Sequence, residues 1–89
     1  MNLGDCMKLV RISSSWCVSC IVMNKVWKKI QEKHPEYEYV EYDYDIDDVS
    51  EYNVGNILPV IIIYKDNKEL KRIIGEKTEK DILKEVEDL

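Results

Sequence analysis

Residues 7–34 read MKLVRISSSWCVSCIVMNKVWKKIQEKH, and the change of pattern inside this stretch decides the architecture. Met7 to Ile12 is a short apolar run interrupted by Lys8 and Arg11, a candidate first strand. Ser13-Ser14-Ser15 makes a polar loop leading into Trp16-Cys17. From Cys17 the period becomes helical. Met23, Val26, Trp27, Ile30 and His34 follow the three-and-four spacing of one face, with Lys25, Lys28, Lys29, Glu32 and Lys33 mostly on the other. Pro35 ends the helix.

Beyond Pro35, the aromatic and β-branched residues Tyr37, Tyr39 and Val40 open a second strand that runs to about Asp45. Asp47-Asp48 is placed to cap a short helix carrying Val49 and Tyr52, with Gly55 as its terminator. Val60-Ile61-Ile62-Ile63-Tyr64 is the most apolar run and reads as a buried strand. Asp66-Asn67 suits a two-residue hairpin turn, because both residue types tolerate positive φ, and Glu69 to Ile74 returns as a strand. Gly75 breaks it. Thr78 with Asp81 resembles a capping box for a last helix that buries Ile82, Leu83, Val86 and Leu89. The order strand, helix, strand, short helix, strand, strand, helix predicts a parallel pair followed by a hairpin. The expected fold is α/β: a four-stranded mixed sheet flanked by helices, formed by residues 1–89 as a single domain.

Composition narrows the function. A hydrophobic fraction of 45% and a charged fraction of 35% are those of an ordinary globule. No apolar run approaches the roughly 18 residues needed to cross a bilayer, so no membrane partner is expected. The net charge of −5 argues against nucleic-acid binding, which needs clustered Lys and Arg. Residues 1–10 carry neither a basic leader nor a long apolar segment, which favours the cytoplasm. The acidic stretch from Glu36 to Glu51 and the lysines of the first helix read as solvated surface.

Three cysteines are present, two of them separated by two residues and the third, Cys6, standing apart. An odd count argues against a structural disulfide framework. Cys17 falls at a helix start, where unpaired N–H groups and the positive end of the helix dipole favour thiolate over thiol. Cys20 follows about one turn later, so the two sulfurs can meet. A zinc site needs four closed ligands, and the sole histidine, His34, is expected at the far end of the helix, so no metal is assigned.

The wider pattern resembles thioredoxin and its small, glutaredoxin-sized relatives. The matching features are Trp16-Cys17-x-x-Cys20 after a strand, Tyr52-x-Val54, Leu58-Pro59-Val60 opening the apolar strand, and Gly75 before the last helix. The similarity extends from Met7 to Leu89 and implies the minimal thioredoxin fold, βαβαββα. It implies thiol–disulfide exchange in which Cys17 attacks a protein disulfide and Cys20 resolves the mixed disulfide, leaving a Cys17–Cys20 disulfide and needing no other cofactor. It also implies that Pro59 is a cis-proline facing the cysteines, that the Leu58 backbone pairs with extended substrate, and that Trp16 covers the site, where the plain alternative is a core aromatic. The implied partners are disulfide-containing proteins and a thioredoxin-reductase-like donor or low-molecular-weight thiol, acting on a monomer.

Four departures from that pattern stand out. About six residues precede the first strand, where a full thioredoxin has a further strand and helix, so one sheet edge is expected to be uncovered. Val18-Ser19 replaces the Gly-Pro of thioredoxins and the Pro-Tyr of glutaredoxins, and potentials in this superfamily run from about −270 to −120 mV, so the direction of use is open. Arg11 stands six residues before Cys17, where the family usually buries an acid, and Glu41 stands on the neighbouring strand where a lysine is common. The expectation is a buried pair of reversed sign that tunes the cysteines, against the alternative that Arg11 snorkels to the sheet edge. Lys25 occupies the place of a kinking proline, so a straighter helix is expected. Two other readings stay open, a glutathione-linked glutaredoxin-like protein and a non-catalytic binding subunit.

Overall fold

The computed structural model describes residues 7–87. Along this span run β1 (Met7–Ser13), α1 (Val18–Val22), α2 (Asn24–Lys33), β2 (Glu38–Asp43), a 3-10 turn (Ser50–Tyr52), β3 (Val60–Lys65), β4 (Lys68–Ile74) and α3 (Glu79–Glu87). The four strands form one sheet in the order β2-β1-β3-β4. β1 is parallel to β2 and antiparallel to β3, and β3 is antiparallel to β4. This is the mixed α/β sheet that the element order predicts, with β2 and β4 as its edges. Cys6 and Leu89 lie outside the described residues.

The two apolar runs take the central positions because only there are both faces covered. The strand period of two then divides their side chains. Leu9, Ile61 and Ile63 point to one face, where Met23 and, from α2, Trp27 and Ile30 meet Ile82 and Val86 of α3. Val10, Ile12, Val60 and Ile62 point to the other, where they pack with Val49, Leu58 and both cysteines, Cys17 and Cys20. An ion pair between Lys33 and Glu79 joins α2 to the start of α3. Tyr39 of β2 packs edge-on against Trp27 at 5.4 Å, and its hydroxyl donates to the carbonyl of His34 at 2.7 Å, closing the C-terminus of α2.

The turns follow their residue chemistry. Asp66 and Asn67 sit at φ 53° and 66°, the paired left-handed conformation of a tight hairpin. Thr78 Oγ1 accepts from the Asp81 N–H at 3.1 Å and so caps α3. Two expectations need correction. The short helix is a three-residue 3-10 turn, and the residue that ends it in left-handed conformation is Asn53 (φ 53°), two positions before Gly55. Asp48 accepts from both the N–H and the hydroxyl of Ser50, a local turn that competes with a longer helix.

The second correction concerns the cysteine helix. It is not straightened by the absence of proline but interrupted at Met23 (φ −79°, ψ −4°), which separates α1 from α2. The cause lies in β1. Arg11 Nη2 donates to the carbonyl of Cys20 at 2.6 Å, and that carbonyl is the acceptor an unbroken helix would offer to the N–H of Asn24. A side chain inserted into the hydrogen-bond ladder produces such a break without proline.

Ile62, fully buried at the centre of the sheet, sets the stability scale. Ile62→Ala is expected to cost about 2–5 kcal/mol, whereas Leu70→Ala, on the exposed side of β4, should cost under about 0.5 kcal/mol. Urea denaturation midpoints of the two variants check this.

Candidate functional site

The carboxyl end of β1 delivers a short loop into α1, and Ser14 holds that loop. It is only 5% exposed. Its hydroxyl donates to Asp45 Oδ2 at 2.8 Å and accepts from the Trp16 N–H at 3.4 Å, while its carbonyl accepts from the Cys17 N–H at 3.2 Å. The Tyr44 N–H adds a bond to the carbonyl of Ser13 at 2.8 Å, tying the loop to the end of β2. Ser14 and Asp45 are support residues that the sequence reading passed over. The signal was faint: a serine two residues before a structured N–H is a common turn donor, and Asp45 was hidden in an acidic run.

Cys17 is the N-cap of α1, and its sulfur accepts from the Cys20 N–H at 3.2 Å. That bond ties the Cys17 sulfur to the turn that carries Cys20. Cys17 is 8% exposed and Cys20 2%, so the first lies nearer the surface. Burial pushes the Cys20 thiol up from 9.0 to about 11, and its hydrogen bond with Cys17 acts in the same direction. The Ser14 backbone and the Arg11 charge oppose the rise.

Opposite the cysteines, β3 begins at the Leu58–Pro59 peptide, which is cis. Leu58 belongs to the same buried cluster as Cys17 and Cys20. The Pro59 carbonyl accepts from the N–H of Gly75 at 2.9 Å, anchoring this wall to the end of β4. Gly75 itself adopts φ 89°, a conformation that L side chains rarely take. Trp16 is 62% exposed, so it is a surface aromatic beside the cysteine pair and not a core one. Val18, Ile21 and Ile57 are also more than half exposed, an unusual amount of open apolar surface for so small a domain.

Beneath Cys20, Arg11 is 2% exposed. Its register partner across the parallel ladder is Glu41, and Arg11 Nη1 reaches Glu41 Oε1 at 3.0 Å. The guanidinium lies 5.9 Å from the centre of the Trp27 ring. Arg11 is therefore buried and paired, and does not snorkel to the sheet edge. Among the described residues, no group of three or more His, Cys, Asp or Glu is placed to hold a metal ion. His34 is at the C-cap of α2, engaged with Glu36 at 3.0 Å.

Comparison with known proteins converges on one family. A family model described as Thioredoxin matches residues 3–88. Thioredoxin-1 of Saccharomyces cerevisiae is 25% identical over 72 residues, spanning 80% of this chain and 70% of the yeast protein. Thioredoxin H2 of Arabidopsis thaliana is 34% identical over 71 residues, 78% of this chain and 53% of the plant protein. Among solved structures, thioredoxin from Trypanosoma brucei brucei superposes with a TM-score of 0.85 at 24% identity, covering 96% of this chain and 75% of that one. A chain from a complex of ferredoxin:thioredoxin reductase with thioredoxin f2 gives 0.83 at 25% identity, covering 97% and 79%. With its sheet order, its paired thiols and its cis Leu58–Pro59 wall, the chain belongs to the thioredoxin family of thiol–disulfide oxidoreductases.

Proposed function

We propose that this protein is a protein-disulfide reductase acting by dithiol exchange through Cys17 and Cys20. One observation carries the reading: Cys17 and Cys20, joined by the bond from the Cys20 N–H to the Cys17 sulfur, share the first turn of α1 within the cluster that holds Leu58, next to a cis-proline. Cys17, nearer the surface, attacks one sulfur of the substrate disulfide and displaces the other as a thiolate. Cys20 then attacks the Cys17 sulfur and displaces the second substrate thiolate. The substrate gains two electrons and two protons, and the protein is left with a Cys17–Cys20 disulfide.

The surrounding surface suits an extended peptide. The backbone at Leu58 offers strand-like pairing, and the exposed faces of Trp16 and Ile57 offer apolar contact on either side. Recharging needs a dithiol or thiol donor. A reductase partner is supported by the similarity to thioredoxin f2, whose crystal structure is a complex with ferredoxin:thioredoxin reductase. A low-molecular-weight thiol would serve the same chemistry. No helix among the described residues is long and apolar enough to cross a membrane, and a reducing compartment such as the cytoplasm would keep the pair in its working dithiol state. The proposed working form is the monomer.

Insulin reduction by dithiothreitol, followed as turbidity, is expected to accelerate with the wild-type protein and to return to the uncatalysed rate with Cys17→Ser. Cys20→Ser should instead accumulate a mixed disulfide visible by mass spectrometry. Wild-type turbidity no faster than the blank would overturn the assignment.

Alkaline stability gives a second test. A thiol whose titration is raised by folding favours the folded state less as pH climbs above its unfolded value, because the unfolded chain releases the proton first. For Cys20 the loss runs from about pH 9 to 11 and amounts to roughly 2–3 kcal/mol. It should appear in the reduced protein and be absent once Cys17 and Cys20 are joined. Tyr39, pushed up to about 12 by burial, adds a loss of the same sign to both forms and cancels in the comparison. Denaturation at pH 8 and pH 10.5 in both redox states measures the difference.

A further inference from the structure

We propose that Arg11 is a positioning residue for the resolving step, a fixed cation that supports the Cys20 thiolate in place of a proton-accepting carboxylate, with Glu41 as the control on its strength. The inference rests on the dithiol mechanism above and adds how this chain activates its second cysteine. Three contacts define the guanidinium. Nη2 donates to the Cys20 carbonyl at 2.6 Å, Nη1 is paired with Glu41 at 3.0 Å, and the face of Trp27 lies at 5.9 Å. The first of these fixes the charge against the backbone of the residue that must react. It also explains why the helix is interrupted three residues later.

The groups that bear on Cys20 are few. Its own turn contributes Cys17, and the preceding loop contributes only the Ser14 backbone. β1 contributes Arg11, and β2 acts through Glu41 by way of that arginine. β3 and the loops before it present the apolar side chains of Val60, Ile62, Leu58 and Val49, with the partly buried phenols of Tyr42, Tyr52 and Tyr64 packed against the same cluster. No carboxylate among the described residues faces the Cys20 sulfur directly. In the mixed disulfide, Cys20 therefore gives its proton to solvent base, and its thiolate attacks the Cys17 sulfur to release the second substrate thiolate. The positive charge beneath it lowers the cost of the anion. The half-exposed Glu41, at 54%, offsets part of that charge and is the natural place to adjust it.

This arrangement makes opposite predictions for the two partners. Neutralising Arg11 must weaken support for the thiolate, whereas neutralising Glu41 must strengthen it. A purely structural ion pair would make both changes harmful.

The test uses one equivalent of 5,5′-dithiobis(2-nitrobenzoate) on the reduced protein, with Cys6→Ser in every variant so that only the pair reacts. Attack by Cys17 releases the first thionitrobenzoate, and attack by Cys20 releases the second, leaving the Cys17–Cys20 disulfide. Arg11→Met is expected to slow the second release at pH 7 by about two- to threefold, since losing the cation raises the thiol's titration and the stronger nucleophile recovers about half of the effect. Its pH profile should shift upward. Arg11→Lys should restore the wild-type rate and profile. Glu41→Gln, which keeps the length of the side chain and an oxygen acceptor for Arg11, should speed the second release and shift its profile downward. Absence of the first release in the wild type would defeat the dithiol mechanism itself. Two normal releases with an Arg11→Met second phase unchanged, or slowing by both Arg11→Met and Glu41→Gln, would overturn the role of Arg11 alone.

Discussion

A guanidinium at 2% exposure cannot exist unsupported in so small a domain, and much of the structure near the cysteines is the consequence of supporting it. The charge needs an acid, and the parallel register of β1 on β2 puts Glu41 directly beside it. It needs further acceptors, and it takes the Cys20 carbonyl, which divides the helix at Met23. It sits over the ring of Trp27, which packs edge-on with Tyr39. One residue of β1 thus links the strand pairing, the helix break and the buried charge.

The sheet carries this arrangement because its two central strands are buried on both faces. β1 ends where the cysteine loop begins, and β3 begins where the Leu58–Pro59 wall stands, so antiparallel pairing of Ile12 with Val60 brings the two halves of the site together. Those halves are held at their backs as well, by Ser14 and Asp45 on one side and by the Pro59–Gly75 hydrogen bond on the other. The reacting groups themselves can then be few. Precision comes from backbone bonds at strand ends, which are stiffer than any loop.

Most of this was legible in the sequence wherever a local rule decided the outcome. The apolar run at Val60–Ile63, the helical period after Cys17, the Asp66-Asn67 turn and the Thr78 cap each follow from a few neighbouring residues, and each took the predicted form. The cysteine pair and its proline stood out through the wider resemblance to thioredoxin and not through the Cys-x-x-Cys spacing alone, and the Leu58–Pro59 peptide is cis as that resemblance implies. What local rules could not reach were long-range events. The break at Met23 comes from a side chain twelve residues earlier, so the missing proline at position 25 was a misleading guide. The end of the short helix at Asn53 was decided by the Asp48–Ser50 turn, which outweighed Gly55 as a stop signal. The bond from Ser14 to Asp45 joins residues 31 positions apart, and no periodicity could announce it.

Glu41 carries one consequence that reaches beyond the site. It lies on β2, an edge of the sheet among the described residues, and the backbone groups of a sheet edge can template another chain. An incoming strand would have to strip water from Glu38, Glu41 and Asp43 along that edge, and Glu41 cannot turn away without abandoning Arg11. The carboxylate that pairs with a buried cation thereby also works against polymerisation.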